Sequence, residues 1–118
     1  MFELMVEESF DAAHALRGYE GPCENLHGHT WKVQVFVQGE KLNQIGLLQD
    51  FKIVKSELKE ILAEFDHKLL NDVPPFDAEN PSSENLAKVI YKKMKKKLRM
   101  LSKVVVWESH TSYAAYWE

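Results

Sequence analysis

The run Cys23-Glu24-Asn25-Leu26-His27-Gly28-His29-Thr30-Trp31-Lys32-Val33-Gln34-Val35-Phe36-Val37-Gln38 carries two patterns at once. From His29 onward it alternates, with Trp31, Val33, Val35 and Val37 on one parity and Lys32, Gln34 and Gln38 on the other. Successive strand side chains point to opposite faces, so the alternation predicts a half-buried strand over 29–38. Residues 1–10 repeat it, with Phe2, Leu4, Val6 and Phe10 against Glu3, Glu7 and Ser9. Two such strands suit an antiparallel pair with one wet face. Between them, Gly18, Gly21, Pro22 and Gly28 mark 11–28 as a long loop.

Beyond a turn region at 39–46 the period changes. Phe51, Val54, Leu58, Ile61, Leu62 and Phe65 fall at helical spacing behind Asp50, a suitable N-cap. A second helix is predicted from Ser83 to Met100, with Leu86, Val89, Ile90, Met94 and Leu98 as its apolar stripe. Asn80-Pro81-Ser82 is its start signal, and Glu84 suits the positive end of the helix dipole. Lys92, Lys93, Lys95, Lys96, Lys97 and Arg99 crowd its last turns and read as a solvated face that complements the negative end. Residues 103–108 and 112–117, rich in Val, Trp and Tyr, are two more strands. The order strand, strand, helix, helix, strand, strand predicts one α+β domain over 1–118: a four-stranded antiparallel sheet with two helices on one face. Its uncovered edges point to pairing with further copies of the chain.

The composition narrows the function. The chain has 118 residues, 45% of them hydrophobic, and a formal charge of −3, with a pI near 6.0. There is no basic excess to hold nucleic acid. No apolar run approaches the roughly 20 residues of a membrane span. Met1-Phe2-Glu3-Leu4-Met5 has neither the basic start nor the cleavage pattern of a signal peptide. The single cysteine, Cys23, cannot close an internal disulfide, so a reducing, cytoplasmic location is expected.

Residues two apart on a strand share a face, so His27 and His29 aim two imidazoles at one point, on the row of Trp31 and Val33. His14 continues the parity of Phe10. In an antiparallel pair the end of the first strand lies beside the start of the second, which brings His14 to His27 and His29. Three imidazoles suit Zn2+, and three protein ligands leave a fourth position open, the mark of a catalytic site. The competing reading makes Cys23 the fourth ligand of a closed structural site. Glu108 shares the parity of Val104 and Val106, and a carboxylate on an apolar row needs a partner. His110 shares that parity and carries no assigned role.

Taken together, Cys-x-x-x-His-Gly-His at 23–29, the upstream His14, Asp66-His67 after the first helix, Asn80-Pro81-Ser82-Ser83-Glu84-Asn85 before the second, and the late Glu108 resemble the 6-pyruvoyltetrahydropterin synthase family. The likeness runs from about Ser9 to Tyr116. The Cys23–His27 gap is most similar to the bacterial 6-carboxytetrahydropterin synthase branch. The resemblance implies the tunnelling fold, in which subunits join their sheets into a barrel, usually a homohexamer built as a dimer of trimers. Cys23 and the histidines of one chain would meet Asp66 and His67 of a neighbour.

By the same resemblance, His14, His27 and His29 are zinc ligands and Cys23 is the catalytic base. Asp66 and His67 activate it and move protons. Glu108 anchors the pterin, and Ser82, Ser83 and Glu84 line its pocket. The implied substrate is 7,8-dihydroneopterin triphosphate, converted to 6-carboxy-5,6,7,8-tetrahydropterin with release of triphosphate and acetaldehyde, in the 7-deazaguanine and queuosine pathway. Lys32, Lys68 and Arg17 are candidates for holding the triphosphate. Three other readings stand beside this one: a 6-pyruvoyltetrahydropterin synthase, a folate-related dihydroneopterin-processing enzyme, and a non-catalytic zinc-binding assembly module.

Overall fold

The computed structural model describes residues 1–20 and 25–118. Strand β1 spans Phe2–His14 and β2 spans His27–Gly39. They pair antiparallel along their whole length, from Phe2 opposite Gly39 to His14 opposite His27. Both outrun the predicted limits of residue 10 and residue 29, so the loop begins only after His14 and β2 begins at His27. The reason is burial: Ala12 and His14 continue the inward row of Val6 and Phe10, and all four are buried.

Helix α1 spans Phe51–Leu62 and is capped as its sequence predicts, with the Asp50 side chain accepting from the Lys52 N–H. Replacing Asp50 with Ala is expected to destabilise the fold by about 1 kcal/mol, read from the denaturant midpoint. Strand β3, Lys68–Leu69, adds a short parallel neighbour to β1, too short to leave a pattern in the sequence. Helix α2 spans Ser83–Lys95, with Ser82 as N-cap. It stops before the predicted Met100 because the chain must turn into β4, and Lys95 Nζ closes that turn on the Arg99 and Leu101 carbonyls, both at 2.8 Å. Strands β4, Leu101–Ser109, and β5, Ser112–Tyr116, complete a sheet of order β3-β1-β2-β4-β5. The expected four antiparallel strands are thus present, with β3 added at one edge.

The core lies between the inward row of the sheet and the two helices. Trp31, Val33, Val35, Val104 and Val106 meet Leu58, Phe65, Leu86, Ile90 and Met94 there. The basic run at the end of α2 and just beyond it faces water: Lys93 pairs with Glu64, Lys97 with Glu57 and Glu60, and Lys92 with Glu118. Exposed pairs of this kind contribute little each. Among the described residues, no helix is long and apolar enough to cross a membrane.

Candidate metal centre

The pairing of β1 with β2 ends at His14 opposite His27, and His29 stands two residues along on the same row. The three rings converge, with centroids 4.7 Å apart for His14–His27, 5.1 Å for His14–His29 and 4.5 Å for His27–His29. The buried Trp31 packs edge-on beneath His14 and His29. Glu108 joins them: ligand atoms of His14, His27, His29 and Glu108 all lie within 4.8 Å of one another.

The protonation pattern follows from the neighbours. His14 Nδ1 lies 2.7 Å from the Pro81 carbonyl, and His27 Nδ1 lies 2.6 Å from the Asn25 carbonyl. A carbonyl only accepts, so each Nδ1 carries the hydrogen and donates it. Each Nε2 is left as a bare lone pair, the arrangement metal-ligating histidines adopt. Burial pushes the pKa of His14 and of His29 below the ordinary imidazole value; the Pro81 carbonyl and then the Glu108 carboxylate partly oppose it at His14, and Glu108 does so at His29. Neutral rings are the metal-binding form.

Glu108 Oε1 lies 3.1 Å from His14 Nε2 and 3.4 Å from His29 Nε2. Both Nε2 atoms are nevertheless buried without a properly aligned hydrogen bond. Two orphaned ring nitrogens aimed at a common point are costly unless something occupies it. The donor set therefore fits a divalent metal ion that prefers nitrogen. The β4–β5 register shifts between Trp107 and Ser109, which places Glu108 in a bulge. Bulges re-aim side chains next to active sites.

The other predicted residues fall into three places. Asp66 and His67 form a second cluster with Asp11. Asp66 Oδ1 accepts from the Asp11 N–H at 3.0 Å and lies 3.0 Å from His67 Nδ1. The Asp11 N–H bond leads the causes that hold the Asp66 carboxyl below its usual range. His67 adopts a left-handed backbone, φ 58°, pinned by its N–H to the Asp11 carbonyl at 2.6 Å. Such a conformation is uncommon for a residue with a side chain and is concentrated at functional sites.

Ser83 and Glu84 share a cavity of about 450 Å³ with Glu108 and Tyr113, while the Ser82 hydroxyl caps α2 by accepting from the Asn85 N–H. A neighbouring cavity of about 600 Å³ brings Lys32, Trp107 and His110 to His29 and Glu108. His110, unassigned from sequence, thus borders the site. Cys23 lies outside the described residues.

Two features were not legible beforehand. Glu108 sits at the imidazoles themselves, not merely in an adjoining pocket, because the bulge and the β2–β4 pairing carry it there. Arg17 is spoken for: its guanidinium donates to the carbonyls of Glu79, Phe76 and Asn71. A side chain held in that way serves the loop around it and is poorly placed to hold triphosphate.

With this geometry in place, the family model for 6-pyruvoyl tetrahydropterin synthase matches residues 3–118. The chain belongs to the 6-pyruvoyl tetrahydropterin synthase family. A 6-pyruvoyl tetrahydropterin synthase structure from Caenorhabditis elegans superposes with a TM-score of 0.91 at 28% identity, covering 99% of this chain and 95% of that one. Among curated proteins, a 6-carboxy-5,6,7,8-tetrahydropterin synthase of Synechocystis is 35% identical over 98% of this chain and 93% of its own. A dihydroneopterin monophosphate aldolase of Pyrococcus furiosus is 34% identical over 91% of this chain and 90% of its own. Members of the 6-pyruvoyl tetrahydropterin synthase family are metal-dependent enzymes, which agrees with the histidine cluster at the end of β1 and β2.

Proposed function

We propose that the chain is a zinc-dependent carbon–carbon lyase that converts 7,8-dihydroneopterin triphosphate to 6-carboxy-5,6,7,8-tetrahydropterin, releasing triphosphate and acetaldehyde, in the queuosine and 7-deazaguanine pathway. The observation that carries the reading is the convergence of three imidazoles, two of them with buried Nε2 atoms that lack a hydrogen-bond partner, on a carboxylate that also lines a cavity. His14, His27 and His29 would hold the zinc ion, which would supply Lewis acidity at the reacting side chain.

The chain's own groups do the rest. Glu108, with Ser83 and Glu84 beside it, binds the pterin edge, where one carboxylate accepts hydrogen bonds from the amino group and the ring N–H together. Ser82 holds the start of α2 in place at that pocket. Cys23, as thiolate, takes a proton from the substrate side chain. Asp66 orients His67, which exchanges protons with it. The imidazole cluster and the Asp66–His67 cluster are distinct groups that border one open cavity of about 530 Å³ through His29 and His67, and the family resemblance supports sites completed there by a second copy. So does the uncovered β5 edge, where Tyr113 is exposed. A hexamer built as a dimer of trimers accommodates both. The need for a free thiolate at Cys23 supports a reducing compartment, the cytoplasm.

Incubation with 7,8-dihydroneopterin triphosphate, followed by an acetaldehyde assay and identification of the pterin, tests the reading. Acetaldehyde with a 6-carboxy product is expected. A 6-pyruvoyl product without acetaldehyde would assign the other branch. The likeness to the Pyrococcus furiosus aldolase at nearly the same identity favours a second reading, a dihydroneopterin phosphate aldolase, recognised by a 6-hydroxymethyl product. No turnover of any pterin, with zinc bound, would leave an assembly module.

Glu108→Gln separates the pterin role from a metal role. Losing charge-assisted hydrogen bonds of roughly 1.5–3 kcal/mol raises KM about 10–150-fold with zinc content unchanged. Zinc lost from that variant would reassign Glu108 as a metal ligand.

A further inference from the structure

We propose that Asn80 and Arg17 are positioning residues for the metal centre: they clamp the loop whose Pro81 carbonyl orients His14. The inference rests on the metal reading above and assigns a task to the first part of the Asn80–Asn85 motif, which the pterin pocket leaves unexplained.

His14 is fully buried, and the polar contact that sets its ring orientation is the 2.7 Å bond from Nδ1–H to the Pro81 carbonyl, 67 residues away in sequence. The direction of Nε2 is therefore only as definite as the position of that carbonyl. Proline has no N–H to anchor itself, so the neighbours must hold it. Asn80 does so from one side: its Oδ1 accepts from the Arg17 N–H at 2.8 Å, and its Nδ2 donates to the Arg17 carbonyl at 2.9 Å. The Asn80 carbonyl in turn accepts from Asn85 Nδ2 at 2.8 Å.

The Arg17 side chain grips the same loop, with Nη1 on the Glu79 carbonyl at 3.0 Å and Nη2 on those of Phe76 and Asn71 at 2.8 and 3.3 Å. Asn71 repeats the two-bond grip on Ala15, at 2.9 and 2.8 Å. Thus Ala15 and Arg17, one and three residues after the ligand, are sewn to the segment ending in Pro81. Any shift of the metal-bearing end of β1 away from the carbonyl that orients its ligand would have to break these bonds. Hydrogen bonds behind ligating histidines fix ring orientation, and losing them weakens metal binding about 10–100-fold.

The test is zinc affinity by chelator competition on the whole protein at a temperature where every variant is folded, with the visible spectrum of the cobalt-substituted protein as a second readout. Asn80→Ala is expected to bind zinc about 10–100-fold more weakly and to shift the cobalt bands. Arg17→Lys, which keeps the charge and one donor group, changes both in the same direction by less, and it decides the matter alone if Asn80→Ala does not fold. Asp50→Ala, which loosens a helix cap remote from His14, serves as the control and keeps wild-type affinity and spectrum. Wild-type zinc affinity in both clamp variants overturns the proposal, as does an equal loss in Asp50→Ala, which would reduce the effect to general destabilisation. Wild-type protein that takes up no zinc would instead overturn the metal reading itself.

Discussion

Replacing His27 with Ala removes the metal from the protein and takes the activity with it. Two imidazoles and a carboxylate are left, and the tetrahedral nitrogen set is broken. Metal stabilisation of developing charge is worth several kcal/mol, and each 1.36 kcal/mol is tenfold in rate. Acetaldehyde release should therefore fall by about 10³-fold or more, alongside zinc content near zero by elemental analysis. His27 is a better choice than His14 for this experiment. It is only partly buried, at the first position of β2, so its loss should leave the apo fold nearly as stable. His14 is buried and bonded to Pro81, and removing it would damage packing as well as ligation. An active, zinc-free His27→Ala protein would end the Lewis-acid account.

Cys23→Ala gives the opposite split. The variant is expected to keep its zinc and lose about 10²–10⁴ in kcat, the contribution of one positioned general base. KM for the pterin should change little, because the recognition groups around Glu108 are untouched. Zinc analysis beside single-turnover kinetics measures both. If zinc leaves with the thiol, Cys23 is a fourth ligand, and the site is a closed structural one with no coordination position for substrate. The pair of variants thus distinguishes a catalytic centre from a structural centre.

Much of this was readable in one dimension because strand geometry is local. A period of two places Phe10, Ala12 and His14 on one face and His27, His29 and Trp31 on one face, whatever surrounds them. An antiparallel pairing then brings the two rows together, and the observed register sets His14 directly opposite His27. The helices were legible for the same reason, through their apolar stripes, the Asp50 cap and the Asn80-Pro81-Ser82 start signal, in which the structure makes Ser82 the cap. Boundaries were less legible. Glycines in the connecting region suggested a loop from residue 11, but burial of Ala12 and His14 against the core extends the strand.

What the chain alone determined, then, is the layering and the three imidazoles, since both rest on repeats a few residues long. Tertiary structure decided the rest of the centre. Glu108 reaches His14 and His29 through the pairing of β4 with β2 and a one-residue bulge, and neither strand order nor bulge is written in spacing. The Pro81 carbonyl reaches His14 across 67 residues of chain, held by side chains whose donors and acceptors any loop of similar composition would offer. Periodicity says which way a residue faces; only the packed fold says what it faces.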